Sequence, residues 1–295
     1  MESIIYSEHE IQSGKARVVL SVWEPQEPEA VIIFIPATMI HPLMYKPLLS
    51  GFAERGFAVV GLHPVGHGKS PRNIKRYTIK DIVQNGLDAV TFAAERYSLP
   101  VIAMGTSQGG LIAAAMSAED ERITAVFSHN VILSELPESV NITRFPGFLR
   151  HAYRPTKGIM KFYSKIIPGV KIPLGLYLKY RRVCPNRDFW NMALADKLNL
   201  RSYSVHFLVS LFTTRFTGLT DGSIKCPLYL ISAAGDGLFS EEYTSKVFEL
   251  LQAPRKERIK FDFNNHMFMV MNPQEVCEKL SGIIREDIAL FEEVV

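Results

Sequence analysis

Along most of the chain, short apolar runs rich in β-branched residues alternate with longer segments in which apolar residues recur at helical spacing. Such short runs predict strands buried on one or both faces. They occupy residues 17–23, 30–35, 57–62, 101–104, 123–127, 227–232 and 259–263. Helices are predicted at residues 45–55, 79–97 and, in an alanine-rich stretch, 111–116. Strands separated by helix-length segments predict a mostly parallel sheet with helices on both faces.

One long segment breaks this alternation. About ninety residues, 133–222, separate two predicted strands that should be neighbours. Helical stretches in this segment are interrupted by prolines, among them Pro146, Pro155, Pro168, Pro173 and Pro185. We therefore predict a core made of residues 1–132 and 223–295, into which residues 133–222 are inserted as a cap.

The composition is that of an ordinary globular enzyme. Of 295 residues, 47% are hydrophobic and 21% are charged, which is enough apolar material for a large core. The first ten residues lack the basic and apolar regions of a secretory signal, and the longest nearly apolar run, 30–40, is shorter than the ~20 residues of a membrane-spanning helix. Three scattered cysteines are too few for a disulfide framework. We expect a cytoplasmic, reduced protein without a metal site.

The predicted cap differs from the rest of the chain in charge and aromatic content. The whole chain has a net charge of +3, yet residues 133–222 contain 14 Lys and Arg against 5 Asp and Glu. They also hold 13 of the 31 aromatic residues. The basic run 179–183 comes without any helix-turn-helix, RRM or zinc-finger pattern, so we expect a solvated helix face there and no nucleic-acid partner.

A serine lies at the junction of a predicted strand and a predicted helix. Gly105-Thr106-Ser107-Gln108-Gly109 fits the pattern G-x-S-x-G. In that motif a sharp strand-to-helix turn lifts the serine oxygen above the sheet edge and directs the first helix amides toward it. The bare pattern is weak evidence, but the strand before it and the helix after it are the context that the motif requires.

A serine hydroxyl needs a base to become a nucleophile, and two later residues are placed to provide one. Asp236 and His266 each follow a predicted strand, in the chain order Ser, Asp, His. The carboxyl ends of parallel strands gather at one edge of a sheet, so these side chains are expected to meet there. Glu241, Glu242 and Asp262 remain alternatives to Asp236. Among the other histidines, His63 and His67 are expected to be structural, while His129 and His151 either face the pocket or are structural.

These features together resemble the α/β-hydrolase superfamily, and within it the group of monoacylglycerol lipases, lysophospholipases and serine aminopeptidase-like enzymes. The segment Gly66-His67-Gly68-Lys69-Ser70 matches the G-H-G-x-S loop common in that group. The resemblance implies an eight-stranded, mostly parallel sheet with helices on both faces and an inserted helical cap. It also implies a catalytic triad of Ser107 as nucleophile, Asp236 as orienting acid and His266 as general base, and no cofactor.

The resemblance implies an oxyanion hole as well, with one departure from the group's pattern. One donor is the backbone amide of Gln108, and the other follows the strand at 30–35. Relatives usually have His-Gly there, whereas this chain has Pro36-Ala37-Thr38. Proline has no N–H, so Thr38 is the first choice and Met39 the second.

The implied reaction is a two-step acyl transfer through an acyl-enzyme on Ser107. We predict a carboxylic ester hydrolase for medium or long acyl chains, with an acyl-CoA or acyl-carrier thioesterase as the alternative. A peptidase ranks low because the cap is poor in acids, and a ligand-binding receptor of the same fold is the alternative outside enzymes. The aromatic residues of the cap either line an acyl pocket or form the cap's own core. Its basic residues either solvate the outside or attract an anionic head group, coenzyme A or an anionic membrane surface. The oligomeric state is left open.

Overall fold

A central eight-stranded sheet organises the protein. The computed structural model describes residues 4–74 and 76–292; residues 1–3 and 293–295, at the ends of the predicted core, lie outside this description. The sheet strands are β1 (Ile5–Ser13), β2 (Ala16–Glu24), β3 (Ala30–Ile35), β4 (Phe57–His63), β5 (Val101–Thr106), β6 (Ile123–His129), β9 (Leu228–Ala233) and β10 (Lys256–Phe261), and β7 (Lys171–Pro173) and β8 (Ser202–Ser204) form a separate hairpin. The order across the sheet is β1-β2-β4-β3-β5-β6-β9-β10. Pairing is parallel from β4 to β10 and antiparallel at the β1–β2 and β2–β4 contacts, so the predicted α/β fold is confirmed.

The burial of the strands follows their sequences. Every residue of β3, β4 and β5 is buried, as their continuous apolar runs predict for strands covered on both faces. β1 has no counterpart among the strands predicted from the apolar pattern. It lies at the sheet edge, and its polar residues are largely exposed, so it gives no apolar signal. β10 begins and ends earlier than the predicted strand 259–263.

Eleven helices accompany the sheet within the described residues. They are α1 (Lys46–Ala53), α2 (Ile79–Tyr97), α3 (Gln108–Ser117), α4 (Tyr153–Ile166), α5 (Leu174–Tyr177), α6 (Tyr180–Val183), α7 (Arg187–Ala195), α8 (Val205–Thr213), α9 (Glu241–Leu250), α10 (Phe268–Met271) and α11 (Pro273–Glu292). Helix α1 packs on α11, and α2 packs on α3. None of these helices combines the length and the hydropathy needed to cross a bilayer.

The chain reverses direction across the sheet between β3 and β5. The β3–α1–β4 connection moves to one side of β3, whereas β4–α2–β5 returns to the other side. Because parallel crossovers are right-handed, these opposite moves place α1 and α2 on opposite faces. The loops that leave β3 and β5 therefore diverge, which opens a crevice at the carboxyl edge of the sheet.

The segment predicted as an insertion connects β6 to β9. Between β6 and β9 the chain forms α4 to α8, the β7–β8 hairpin and short 3₁₀ turns before it rejoins the sheet. We call residues 133–222 the cap segment. Apart from the 14-residue α4, its helices have nine residues or fewer, and its backbone contacts the loops that follow β3 and β10.

Candidate active site

Ser107 occupies a strained turn between β5 and α3. Its backbone has φ 56° and ψ −118°, an unfavourable conformation for a residue with a side chain. The turn is possible because the neighbouring glycines lie against backbone. A Cβ on Gly105 would overlap the carbonyl of Gly109, and one on Gly109 would overlap the carbonyl of Ile35. The glycines of the motif are therefore required by close packing of the turn.

The turn is fixed by backbone hydrogen bonds. The Ser107 amide donates to the carbonyl oxygen of His129 at 2.7 Å, and the Gly110 amide donates to the Ser107 carbonyl at 2.9 Å. Gly110 is itself packed against the His129 and Asn130 carbonyls. This arrangement ties the candidate nucleophile to the end of β6.

Asp236 and His266 meet as the sequence predicts. Nδ1 of His266 donates to Oδ2 of Asp236 at 2.7 Å, and both side chains are almost fully buried. The other carboxylate oxygen, Oδ1, accepts the backbone amides of Leu238 and Phe239 at 2.8 and 3.1 Å. Among the three alternatives, Glu241 forms ion pairs with Arg258 and Lys260 instead.

The surroundings of Asp236 favour the ionised carboxylate. Burial opposes ionisation, but the attraction of the His266 imidazole and the hydrogen bond from it outweigh burial and hold the pKa of Asp236 well below its ordinary value. Asn130 adds a further donor, since its Nδ2 lies 2.9 Å from Oδ2. A carboxylate that stays charged can fix the orientation of His266 and stabilise its protonated form.

His129 is a structural neighbour of this pair. Its Nε2 accepts a hydrogen bond from Asn130 at 2.9 Å and its Nδ1 donates to Oγ1 of Thr106 at 3.0 Å, which satisfies both ring nitrogens of a neutral imidazole. Burial, and then repulsion from His266, lower the pKa of His129 to about 3. Of the two readings that the sequence left open for His129, the structure supports the structural one.

His129, Asp236 and His266 also bring three potential metal-ligand atoms within 4.8 Å of one another. The NH₂ group of Asn130 donates to both His129 and Asp236, so a hydrogen-bond donor stands where a cation would bind. The remaining contact, between His266 and Asp236, is already a hydrogen bond. The donor set therefore fits the orientation of His266 by an ionised carboxylate better than a metal site.

The free nitrogen of His266 faces the candidate nucleophile's cavity. Nε2 of His266 is buried and has no hydrogen-bond partner within residues 4–74 and 76–292, and Ser107 and His266 line the same cavity. The Ser107 hydroxyl makes no hydrogen bond to this nitrogen among the described contacts. Such contacts are often loose without substrate and tighten when it binds. Phe239 stacks on the His266 ring, and the His266 amide donates to the Val183 carbonyl of the cap segment at 3.0 Å.

The two predicted oxyanion donors lie on either side of the crevice. Gln108 is the first residue of α3, where the backbone N–H has no partner within the helix. Thr38 lines the cavity of Ser107, and its hydroxyl donates to Oε1 of Gln108 at 3.2 Å. Met39 has φ 71°, and its amide donates to the Tyr203 hydroxyl at 2.9 Å. With the Met39 amide engaged, Thr38 is the better candidate on this side.

Tyr203 is a site residue that sequence reasoning missed. Its buried hydroxyl accepts from Met39 and donates to Nε2 of His67 at 2.7 Å, while Nδ1 of His67 donates to the Val65 carbonyl at 2.9 Å. The structural role expected for His67 includes this contact with the cap segment. No local pattern marks Tyr203, because its partners lie more than a hundred residues away in the chain.

The cavity above Ser107 is small and apolar. It measures about 40 Å³, which is room for about three water molecules. Apart from Ser107, His266, Thr38 and the Tyr177 hydroxyl, its lining is hydrophobic. The cap segment supplies much of it: Ile142, Tyr177, Leu178, Val183, Phe189, Trp190, Leu211 and Phe212. No carboxylate lines this cavity among the residues that the structure describes.

Comparison with known proteins agrees with the fold and the motifs. Phospholipase YtpA of Bacillus subtilis (strain 168) is 26% identical over 232 residues, which cover 77% of this chain and 83% of that protein. The solved monoacylglycerol lipase of Paleococcus ferrophilus superposes with a TM-score of 0.70 at 19% identity, covering 90% of this chain and 98% of that one. A soluble variant of monoglyceride lipase from Saccharomyces cerevisiae gives a TM-score of 0.74 at 13% identity, covering 97% and 96%.

A family model described as serine aminopeptidase, S33, matches residues 26–272, which is most of the chain and spans every candidate site residue. The resemblance inferred from the sequence motifs is thereby confirmed. The chain belongs to the serine aminopeptidase S33 family of α/β-hydrolases.

Proposed function

We propose that this α/β-hydrolase is a lipase-like serine esterase that cleaves carboxylic esters of medium- or long-chain acyl groups through an acyl-enzyme on Ser107. The apolar cavity that encloses Ser107 and His266 carries the proposal. Ligand sites of this kind bind apolar groups and orient them with a few polar contacts. The similarity to a phospholipase and to monoacylglycerol lipases supports it.

In the proposed mechanism, the Ser107 oxygen attacks the ester carbonyl carbon while Nε2 of His266 takes its proton. The carbonyl oxygen, now negative, accepts hydrogen bonds from the Gln108 and Thr38 amides. When the carbon–oxygen bond to the alcohol breaks, His266 returns the proton to the leaving alkoxide. A water then repeats the sequence on the acyl-enzyme and releases the acid. Asp236 holds the imidazole in the tautomer that leaves Nε2 free.

The lining of the cavity favours an ester over a peptide substrate. An aminopeptidase must bind a charged amino terminus, for which a nearby carboxylate is the natural partner. The described lining of the Ser107 cavity contains no Asp or Glu, and the sequence from 139 to 187 has neither. We therefore propose ester hydrolysis for this member of the family.

A second apolar cavity supports the preference for longer acyl chains. It measures about 180 Å³ and is lined by the cap segment, including Phe145, Tyr153, Met160 and Phe212. Phe212 also lines the 40 Å³ cavity at Ser107, so its side chain stands between the two spaces. A chain that passes Phe212 would gain room that the Ser107 cavity alone lacks.

The basic surface of the cap segment supports the alternative of an acyl-CoA thioesterase. A cleft of about 510 Å³ between core and cap segment is lined by Arg72, Lys171, Lys197 and Arg201, with Asp196 as the acidic residue among its lining. Phosphates of coenzyme A would be attracted to such a cleft. An acyl-CoA series of matched chain length therefore belongs beside the ester series.

The decisive experiment compares p-nitrophenyl esters of increasing chain length with the corresponding acyl-CoA thioesters. We expect kcat/KM to rise beyond four carbons for the esters; a sharp optimum at acetate would contradict the proposal. A fluorophosphonate probe should label the protein at neutral pH and should not label Ser107→Ala. Lack of labelling would favour the receptor alternative, because it would show that the serine is not activated.

The cytoplasmic location stays a prediction. All three cysteines, Cys184, Cys226 and Cys277, are free and buried, and burial raises the pKa of each thiol, to about 12 for the latter two. Such thiols are chemically inert and suit a reducing compartment.

A further inference from the structure

The longest helix of the cap segment presents its apolar side to solvent. On α4, Ile159, Phe162, Tyr163 and Ile166 follow the spacing i, i+3, i+4, i+7 of a single helix face. Phe162 is 61% exposed and Ile166 is 58% exposed. Apolar stripes at this spacing normally face a core. Here the stripe faces outward.

The opposite side of α4 packs inward and is more polar than the exposed side. Thr156 and Lys157 are half-buried, and Ser164 is buried. The Lys157 ammonium donates to the Ser134 carbonyl at 2.6 Å, and the Ser164 hydroxyl donates to the Lys161 carbonyl at 2.8 Å. Tyr153 and Met160 are half-buried on the same inward side, so the inward side is mixed whereas the exposed stripe is apolar throughout.

Exposed apolar side chains are concentrated around this helix. Most of the large apolar side chains that are exposed among the described residues lie between positions 145 and 176: Phe145, Phe148, Ile159, Phe162, Tyr163, Ile166, Ile167, Val170 and Leu176. Monomeric proteins rarely leave such clusters uncovered, and a cluster of this size marks an interaction surface.

The charge of the same segment is of one sign. From residue 139 to residue 187 the sequence contains eleven Lys and Arg and no Asp or Glu. Lys161 and Lys165 lie on α4 to one side of the apolar stripe and line an open groove together with Arg76, Lys80 and Arg215. Arg215 is paired with Glu135 at 2.7 Å, and no acidic residue is found in the groove lining within the described ranges 4–74 and 76–292. The surface is thus suited to a negatively charged partner.

We infer that α4 and its flanking residues are a docking surface for an anionic phospholipid membrane. An amphipathic helix with aromatic and aliphatic residues on one side and lysines beside them lies in the plane of a lipid interface, with its apolar side among the acyl chains. The 14 residues of α4 would extend about 21 Å along that plane. Lys161 and Lys165 would contact the headgroups.

This docking would deliver lipid to the proposed active site. Tyr153, Thr156 and Met160, on the inward side of α4, line the 180 Å³ apolar cavity that adjoins the Ser107 cavity at Phe212. The same helix thus has one side toward the membrane and the other toward the proposed acyl path. The role of docking in catalysis rests on the proposed function; the docking itself does not.

The test is flotation of the full chain with vesicles of phosphatidylglycerol and phosphatidylcholine in equal parts, compared with vesicles of phosphatidylcholine alone. We expect binding to the anionic vesicles that weakens in high salt. The double variants Phe162→Ser/Ile166→Ser and Lys161→Glu/Lys165→Glu should each reduce the partition coefficient by about tenfold or more. Leu250→Ser and Lys15→Glu/Lys225→Glu change exposed residues elsewhere and should leave it unchanged.

Binding is measured with Ser107→Ala as well as the parent chain, so a missing esterase activity cannot be mistaken for missing docking. All surface variants should keep the parent's turnover of a soluble short-chain ester. Equal affinity for both kinds of vesicle, or no binding to either, would overturn the inference. So would sedimentation velocity showing a dimer that Phe162→Ser/Ile166→Ser converts to monomer, since a second copy of the chain would then cover the stripe.

Discussion

The hydroxyl of Tyr203, in the cap segment, accepts a hydrogen bond at 2.9 Å from the backbone amide of Met39, in the loop that carries the candidate oxyanion donor. The same hydroxyl donates to His67 of the core at 2.7 Å. The resemblance to lipase-like α/β-hydrolases implies a His-Gly pair in this loop, where this chain has Pro36 and Ala37. Tyr203 therefore holds the Thr38–Met39 backbone from above.

Replacing Tyr203 with phenylalanine should reduce turnover more than substrate binding. The Met39 amide would lose its acceptor, and a buried unpaired donor costs about 1–3 kcal/mol. We expect kcat to fall by about tenfold or more with KM nearly unchanged, because a displaced Thr38 amide affects the transition state. Steady-state kinetics measures the fall in kcat, and urea unfolding measures the loss of stability. Tyr163→Phe, at an exposed position, is the matched control, and an unchanged kcat in Tyr203→Phe would refute the positioning role.

Asp236→Asn should lower kcat by about four orders of magnitude. The asparagine has one acceptor oxygen, yet Asp236 accepts the Leu238 and Phe239 amides on one side and His266 on the other. In the variant, either the Leu238 and Phe239 amides or the His266 imidazole loses its acceptor oxygen. The exposed Asp262, which sequence reasoning kept as an alternative, provides the control Asp262→Asn. If Asp262→Asn were the slower enzyme, the assignment of the acid would have to change.

Phe212→Ala should shift the chain-length profile. Phe212 lines both the 40 Å³ and the 180 Å³ cavities, so its removal should join them. We expect kcat/KM to increase for long esters relative to butyrate, although the loss of a half-buried ring lowers stability. Phe216→Ala removes another half-buried ring of the cap segment that lines neither cavity. The same chain-length profile in both variants would mean that Phe212 does not separate the two cavities.

Three buried histidines should make the protein acid-sensitive. Burial is the main cause that lowers the pKa of His63 and His129 to about 3 and that of His67 to about 4. The unfolded chain binds protons near pH 6.5 whereas the folded chain does not, so this contribution to stability is complete above about 6.5. It is lost as the pH falls to about 4 for His67 and to about 3 for His63 and His129. Each histidine contributes a slope of up to about 1.4 kcal/mol per pH unit.

Urea unfolding across this pH range tests the slope. His63→Gln should remove about one proton from the difference between the unfolded and folded states. The exposed His151 gives the control variant His151→Gln, which should leave the slope as it is. A parent protein whose unfolding free energy is flat between pH 7 and 5 would contradict the neutral state of these side chains.

Local patterns in the sequence were sufficient to predict most of the sheet and the meeting of Asp236 with His266. Ser107 and Asp236 follow the buried strands β5 and β9, and His266 follows the more polar edge strand β10. Parallel strands bring such positions to one edge. The edge strand β1 was missed by this signal, because its polar residues face solvent.

What the sequence could not provide were contacts between distant segments. Tyr203 reaches Met39 and His67 across more than a hundred residues, and Asn130 joins His129 to Asp236 in the same way. The aromatic residues of the cap segment were also ambiguous. Phe207 is buried, Phe189 and Phe212 line the Ser107 cavity, and Phe148 and Phe162 face solvent. Each of the two readings holds for a subset, and the exposed aromatic residues fit neither of them.

The cap segment is hydrogen-bonded to both sides of the crevice. The Tyr203 hydroxyl accepts from the Met39 amide, and the Val183 carbonyl accepts from the His266 amide. Removal of the cap segment would therefore open the crevice to substrate but would also lower catalytic activity. Grafting the corresponding insert of a relative would alter reactivity together with selectivity. In this chain the same few hydrogen bonds between cap segment and core therefore affect both substrate selectivity and catalytic activity.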